Sequence, residues 1–229
     1  MKLGDTMVAP SLKNGYGHLS HGADSPNIVG KLFKVHGYGV HPDTGLFDYD
    51  ELERIVAEQK QRLVLGGASA YPRDIDWKKI AEIARAHGAI SMADISHPSG
   101  LIAADILNDP YASGIDIITT TTHKTLRGVK GAVICWRQSL AERLKTEGHV
   151  GINFSVFPGM LGGPHMPTVA AHASTFRRAQ TEEFKQEQVR TQQYAKILAE
   201  VLTTRGWKLA TGGTDNHLIL AEIAKIDGL

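Results

Sequence analysis

The chain has 229 residues, with 25 lysines and arginines against 24 aspartates and glutamates and a net charge of +1. That balance speaks against nucleic acid or an anionic membrane as a partner, and the apolar runs are strand-length, too short for a transmembrane helix. Cys135 is the only cysteine, which excludes an internal disulfide and fits a reducing, cytoplasmic setting, as does an N-terminus without the apolar stretch of a secretory signal. None of the eleven histidines pairs as H-x-x-x-H or joins the cysteine at zinc spacing, so no metal site is expected.

Strand-like sequence begins at the very N-terminus. Residues 48–59 predict a helix, followed by a strand over 62–66. Asp76 reads as the N-cap of a helix running to His87, with Gly88 as its stop and Ile80, Ile83 and Ala84 as its apolar stripe. A strand over 89–94 and a turn-rich connection come next. The β-branched run 115–122 reads as a buried strand and is followed by another over 132–136. Residues 139–147 form a short amphipathic helix, and 154–167, rich in glycine and proline, a loop. From 168 to 205 the pattern is helical, with a break near Thr181, where Thr-Glu-Glu can start a new helix. A strand is predicted over 217–222. Alternating strands and helices predict an α/β fold whose central sheet is mostly parallel and flanked by helices on both faces. Strands so close to both ends make the chain read like the middle of something larger.

The chemistry concentrates at 117–131, I-I-T-T-T-T-H-K-T-L-R-G-V-K-G. Lys124 follows the end of a strand, where open α/β sheets place their chemistry, and a desolvated amine there is suited to imine formation. The plain alternative is a lysine reaching from a strand end to water. Asp94 ends the preceding strand, so parallel pairing brings both side chains to one edge of the sheet. An amine and a carboxylate so placed match pyridoxal phosphate: the lysine forms the imine and the carboxylate keeps the ring nitrogen protonated. Alone, Asp94 would read as a turn aspartate.

His97 and His123 can orient these groups or shuttle a proton, or be ordinary hydrogen-bonded histidines. Ser69, in Gly66-Gly-Ala-Ser-Ala-Tyr-Pro-Arg73, follows another strand end and can bond a ring oxygen or merely close a turn. His18, on the glycine loop Gly15-Tyr-Gly-His-Leu-Ser-His-Gly22, is suited to stacking on an aromatic cofactor. Backbone amides of Phe157-Pro-Gly-Met-Leu-Gly-Gly-Pro164 can cradle a phosphate.

Taken together these segments resemble serine hydroxymethyltransferase, a pyridoxal-phosphate enzyme of fold type I. Gly4-Asp-Thr6, Gly17-His-Leu-Ser-His-Gly22, Ser69-Ala-Tyr71, Ala93-Asp-Ile-Ser-His97 with Gly100-Leu-Ile-Ala-Ala104, the threonine–His–Lys segment, Phe157-Pro-Gly159 with Gly162-Gly-Pro164, and Gly212-Gly-Thr-Asp-Asn-His-Leu218 fall in the family's order. The resemblance implies the reversible conversion of serine and tetrahydrofolate to glycine and methylene-tetrahydrofolate. It implies pyridoxal 5'-phosphate held as an aldimine on Lys124, with Asp94 on its ring nitrogen, His18 stacked on the ring, and Ser69 and His97 at its hydroxyl. Thr121 and His123 would assist exchange at the lysine. Gly163 would offer its amide to a phosphate bound by the partner subunit of a homodimer. Leu12, Gly17, His18, Leu19 and Asn216 lie where the family contacts folate. In domain terms, 1–180 would be a partial large domain, and 181–229 a connecting helix with the first strand of an incomplete small domain.

The sequence also departs from the pattern. Family members are longer at both ends, so the catalytic glutamate, the active-site tyrosines and the arginine that clamps the substrate carboxylate are expected outside this chain. Tyr16 stands inserted before Gly17-His18, Lys130 replaces an arginine, Ala132 a glycine and Leu161 a glutamine, and His165 and Pro167 break the pattern after the glycine loop. An impaired enzyme completed by a companion chain, a non-catalytic pyridoxal-phosphate-binding remnant, and a threonine-aldolase-like lyase are the readings to separate. The Gly-Gly-Thr-Asp-Asn-His segment weighs against the last.

Overall fold

The computed structural model describes residues 1–13, 16–18 and 27–223. In chain order the elements are β1 (Thr6–Pro10), α1 (Val29–Leu32), β2 (Lys34–Tyr38), α2 (Tyr49–Glu58), β3 (Leu63–Gly66), α3 (Trp77–Ala86), β4 (Ile90–Asp94), α4 (Ser99–Ala103), β5 (Ile117–Thr121), β6 (Ala132–Trp136), α5 (Gln138–Thr146), α6 (Ile152–Val156), α7 (Met166–Ala179) and α8 (Glu182–Thr204). The strands form one six-stranded sheet in the order β2-β1-β3-β4-β5-β6. The pairs from β2 to β5 are parallel, and β6 returns antiparallel to β5. This is the mixed, mostly parallel α/β sheet that the strand–helix alternation predicts.

Local chemistry sets the element ends. Asp48 accepts the amide of Glu51 (2.9 Å), Asp76 that of Lys79 (2.9 Å) and Thr181 that of Phe184 (3.3 Å), so each satisfies an orphan donor at a helix start. Gly88 closes α3 with φ +69°. The helix buries Trp77, Ile80, Ala81, Ile83 and Ala84 against one face of the sheet, where Val8, Val64, Ala93 and Ile115 complete the main core. Alternate strand residues Met7, Ala9 and Leu65 face the other side with Phe33, Val35 and Met92.

Three expectations change. The run 115–122 is a strand only over Ile117–Thr121, and that strand is half-buried, not enclosed. The reason is position: α1, α2 and α3 pack on β1 to β4, whereas β5 and the more exposed β6 lie toward the sheet's edge. The predicted loop 154–167 is helical at both ends, in α6 and in α7, whose first turn accepts Pro167 because its missing N–H would be unpaired there anyway. Residues 217–222 form no strand. A bridge between Leu209 and Ala221 and two flanking hydrogen bonds tie them back to 208–210, and no longer strand pairs with them among the described residues.

Candidate active site

Parallel pairing puts the ends of β4 and β5 side by side: Asp94 is in register with Thr119, and the amide of Ile95 bonds the Thr119 carbonyl (2.9 Å). Asp94 Oδ1 accepts both the backbone amide (3.0 Å) and the hydroxyl (2.6 Å) of Ser96. The same hydroxyl accepts the Thr121 amide (3.1 Å), and Thr121 Oγ1 donates to the Ser96 carbonyl (3.4 Å). The buried Ser96 therefore fixes the carboxylate and ties it to the strand that leads to the lysine. Gly67 closes the site from the β3 side. Its φ is +123°, and a Cβ there would collide with the Asp94 carbonyl oxygen.

Lys124 sits in the turn between β5 and β6, and this turn is closed on itself. The Thr122 amide bonds the Gly131 carbonyl (3.1 Å), and the Gly128 amide the Thr122 carbonyl (2.7 Å). The fully buried Thr122 hydroxyl donates to the Val129 carbonyl (2.6 Å) and lies 3.2 Å from His172 Nε2 on α7. Beyond the lysine, Thr125 Oγ1 donates to the His97 carbonyl (2.6 Å) and accepts the Gly100 amide (2.8 Å). The α8 side chains Gln188 and Glu187 reach the same turn, at the Thr125 carbonyl (3.2 Å) and Arg127 (3.5 Å).

The electrostatics follow from this crowding. Burial lowers the proton affinity of the Lys124 amine, and the attraction of Asp94 partly opposes it. His97 is pushed down to about 4, first by burial, then by the positive Lys124, His217 and His18, with Asp94 opposing. His217 is lowered by burial and then by Lys124. The His97 and His217 rings lie 13° from parallel with centroids 6.3 Å apart. A cleft of about 360 Å³ opens among His97, Lys124, Thr125, Gln188, Thr191 and His217, with Arg127 at its side. Such a site offers an amine that holds its proton less tightly than usual, a fixed carboxylate and, at His97, an imidazole that stays uncharged at neutral pH.

The expected residues divide into groups. Asp94, Lys124, His97 and His18 share one electrostatic cluster, so His18 stays within reach of His97 despite the inserted Tyr16. Tyr16 itself adopts φ +53° and stacks on Tyr71, with ring centroids 6.1 Å apart. Ser69, at the end of β3, donates its amide to the Tyr16 carbonyl (3.2 Å). Gly17 is buried against Pro10, Leu12 is half-buried in the turn after β1, and Leu19 lies outside the described residues. His123 is exposed beside Lys124.

Asn216 is buried, and its amide is occupied within the chain: it donates to the carbonyls of Tyr71 (3.1 Å) and Arg73 (3.5 Å) and accepts from the Leu218 amide (2.8 Å). Gly163 stands on the exposed stretch 157–165, outside the network around Lys124. The departures Lys130, Ala132 and Leu161 are also exposed, and His165 Nδ1 lies 2.7 Å from the Thr168 hydroxyl.

Sequence reasoning passed over Ser96, Thr125, Gln188 and His217 as functional groups. Ser96 and His217 lie inside quoted motifs, one beside Asp94 and the other beside Asn216; Gln188 carries no local signal, since glutamine is an ordinary helix former. A larger cleft of about 840 Å³, around Arg73, Trp207 and Lys208, contains none of the groups of the lysine cluster. Among the described residues no group of three His, Cys, Asp or Glu side chains is placed to hold a metal ion, and no helix is long and apolar enough to cross a membrane.

Comparison with known proteins gives a consistent result. The family model described as serine hydroxymethyltransferase matches residues 1–228. The serine hydroxymethyltransferase of Wolbachia pipientis subsp. Culex pipiens (strain wPip) is 46% identical over 220 residues, which cover 96% of this chain and 49% of that protein. The chain thus spans about half the length of the relative it matches. With the match running almost end to end, this chain belongs to the serine hydroxymethyltransferase family.

Proposed function

We propose that this chain carries the pyridoxal-phosphate-binding part of a serine hydroxymethyltransferase, which interconverts serine plus tetrahydrofolate with glycine plus methylene-tetrahydrofolate in one-carbon metabolism. The observation that carries the reading is the joint placement of Lys124, Asp94, His97 and His18 in one cluster at the carboxyl edge of the sheet.

The donor set fits pyridoxal phosphate. A lysine with lowered proton affinity is suited to covalent attachment, and a carboxylate already anchored by Ser96 is suited to a protonated ring nitrogen. His217 Nδ1 is buried without a partner beside them, so polar capacity is left over at the site. When bound, the group supplies an electron sink for charge developing on the substrate's α-carbon. Around it Lys124 would hold the cofactor, Asp94 the ring nitrogen, His18 the ring face, and Ser69 and His97 the ring hydroxyl. Thr121 and His123 would flank the amine. The neutral His97 is suited to accept or donate a hydrogen bond without adding charge. Gly163 would serve a phosphate bound across a homodimer, and Leu12, Gly17, His18, Leu19 and Asn216 the folate side.

The same reading divides the chain into 1–180, bearing the cofactor, and 181–229, leading toward a smaller domain. The general acid/base and the carboxylate clamp would come from the remaining half or from a companion chain. Each is worth orders of magnitude in rate, so turnover by this chain alone is expected to be weak or absent. A pyridoxal-phosphate-binding module without turnover is the second reading, favoured by the same placement of binding groups.

Visible absorbance after adding pyridoxal phosphate tests the proposal. The native chain should develop a band that Lys124→Ala lacks, and identical spectra from the two would overturn the cofactor assignment. Hydroxymethyl transfer from serine to tetrahydrofolate, assayed with and without a polypeptide supplying the other half, then separates the enzyme from the binding module.

A further inference from the structure

Gln188 is the least expected member of the lysine cluster. It lies on α8, far along the chain from Lys124, and is only 1% exposed. Its Nε2 donates to the Thr125 carbonyl (3.2 Å), directly after the lysine. The Thr125 hydroxyl in turn grips the His97 carbonyl (2.6 Å) and the Gly100 amide (2.8 Å). Gly100 itself packs so closely that a Cβ there would lie 2.8 Å from Gln188 Oε1. One buried amide thus joins the lysine turn, the His97 turn and the start of α4. Gln188 Oε1 has no hydrogen-bond partner, and a buried amide kept half-satisfied is a cost that an apolar side chain of similar size would avoid.

We propose that Gln188 is a positioning residue that holds Lys124 in its half-buried place beside Asp94 and His97 by fixing the Thr125 carbonyl. Glu187 supports it from the next position on α8, pairing with Arg127 (3.5 Å) and, through both carboxylate oxygens, with Arg178 (2.9 and 2.7 Å). The charged and titratable groups gathered around the amine and its cleft are Asp94, His97, His18, His217 and Arg127, from β4, the turn after it, the loop after β1, the segment after α8 and the lysine turn. Without the bond from Gln188, the turn is free to carry the amine toward water, where lysine regains its ordinary proton affinity.

The inference rests on the reading of Lys124 as the reactive amine, and its test needs no cofactor. Limited acetylation of the whole chain at a series of pH values, read at Lys124 by peptide mapping, gives the midpoint at which that amine becomes nucleophilic. Gln188→Met keeps the volume and removes the donor, and Gln188→Leu is the second uncharged variant should the first fail to fold. Each is expected to raise the Lys124 midpoint toward that of an ordinary, solvated lysine. Ala199→Gly, which weakens α8 away from the cluster, should leave it unchanged. A folded Gln188 variant with a native Lys124 midpoint overturns the positioning role alone. A native Lys124 that titrates with the surface lysines overturns the reactive amine as well.

Discussion

The lysine edge and the glycine-rich stretch 157–165 are both candidate cofactor contacts by sequence, and the chain builds them to opposite degrees. At the lysine edge Asp94, Ser96, Thr121, Thr122, Thr125 and Gln188 are each held by hydrogen bonds of 2.6–3.4 Å, and Gly67 leaves no room for a side chain. Along 157–165 every residue is exposed, Met160 to 84%, and a Cβ at Gly162 or Gly163 would meet nothing. The difference teaches which part of the site is preorganised by this chain's own packing. The lysine edge carries its geometry internally, whereas the glycine stretch presents apolar and backbone groups outward. A surface of that kind acquires a defined role only against another surface.

Substitutions can break this contrast, and the largest effect is expected at Gly67. Gly67→Ala forces a side chain into a left-handed backbone and against Asp94, so a loss of about 2–4 kcal/mol is expected in urea unfolding, and under the proposed cofactor reading pyridoxal phosphate binding should weaken in parallel. A variant as stable as the native chain would show that the β3 turn does not constrain the carboxylate.

A smaller effect comes from pH. The folded state holds His97 near 4, and an unfolded histidine titrates near 6.5, so between these values the unfolded chain binds more protons. Stability should therefore fall as pH drops from about 6.5 toward about 4 and level off below. His217 contributes in the same direction. His97→Gln should flatten that slope in denaturation midpoints taken across the window, and an unchanged slope would remove His97 from the cluster.

The smallest effect is expected in the glycine stretch. Gly163→Ala should change the stability of this chain by no more than about 0.5 kcal/mol, because the added methyl meets open space. A large loss would show that the stretch packs on something after all.

Much of the fold was legible because its signals are local. Asp76 caps α3 ahead of its apolar stripe, Thr181 starts α8 at the predicted break, Asp48 opens the helix predicted over 48–59, and Gly88 ends α3. Asp94 and Lys124 were legible for a related reason: each closes or follows a strand, and parallel pairing of adjacent strands leaves their ends on one edge. What was not legible depends on partners distant in sequence. The β-branched run at 117–121 looks like a buried strand whether or not helices cover it, and here they cover the strands on one side. The segment 217–222 has the composition of a strand but pairs only with a short piece at 208–210. Gln188 becomes meaningful only once α8 is laid across the lysine turn. Likewise the amide of Asn216 spans Tyr71, Arg73 and Leu218, and the first two of these lie far from it in sequence.

The antiparallel return of β6 has one more consequence. Because the ten-residue span 122–131 is cinched at its base and buttressed by His172 from α7, its backbone is a mooring post, not a swinging arm. The reach of the Lys124 ammonium is set by its own four methylenes. Whatever molecule meets that nitrogen must travel to it, and chemistry there will proceed at a berth whose location was decided when the hairpin closed and α8 settled across it.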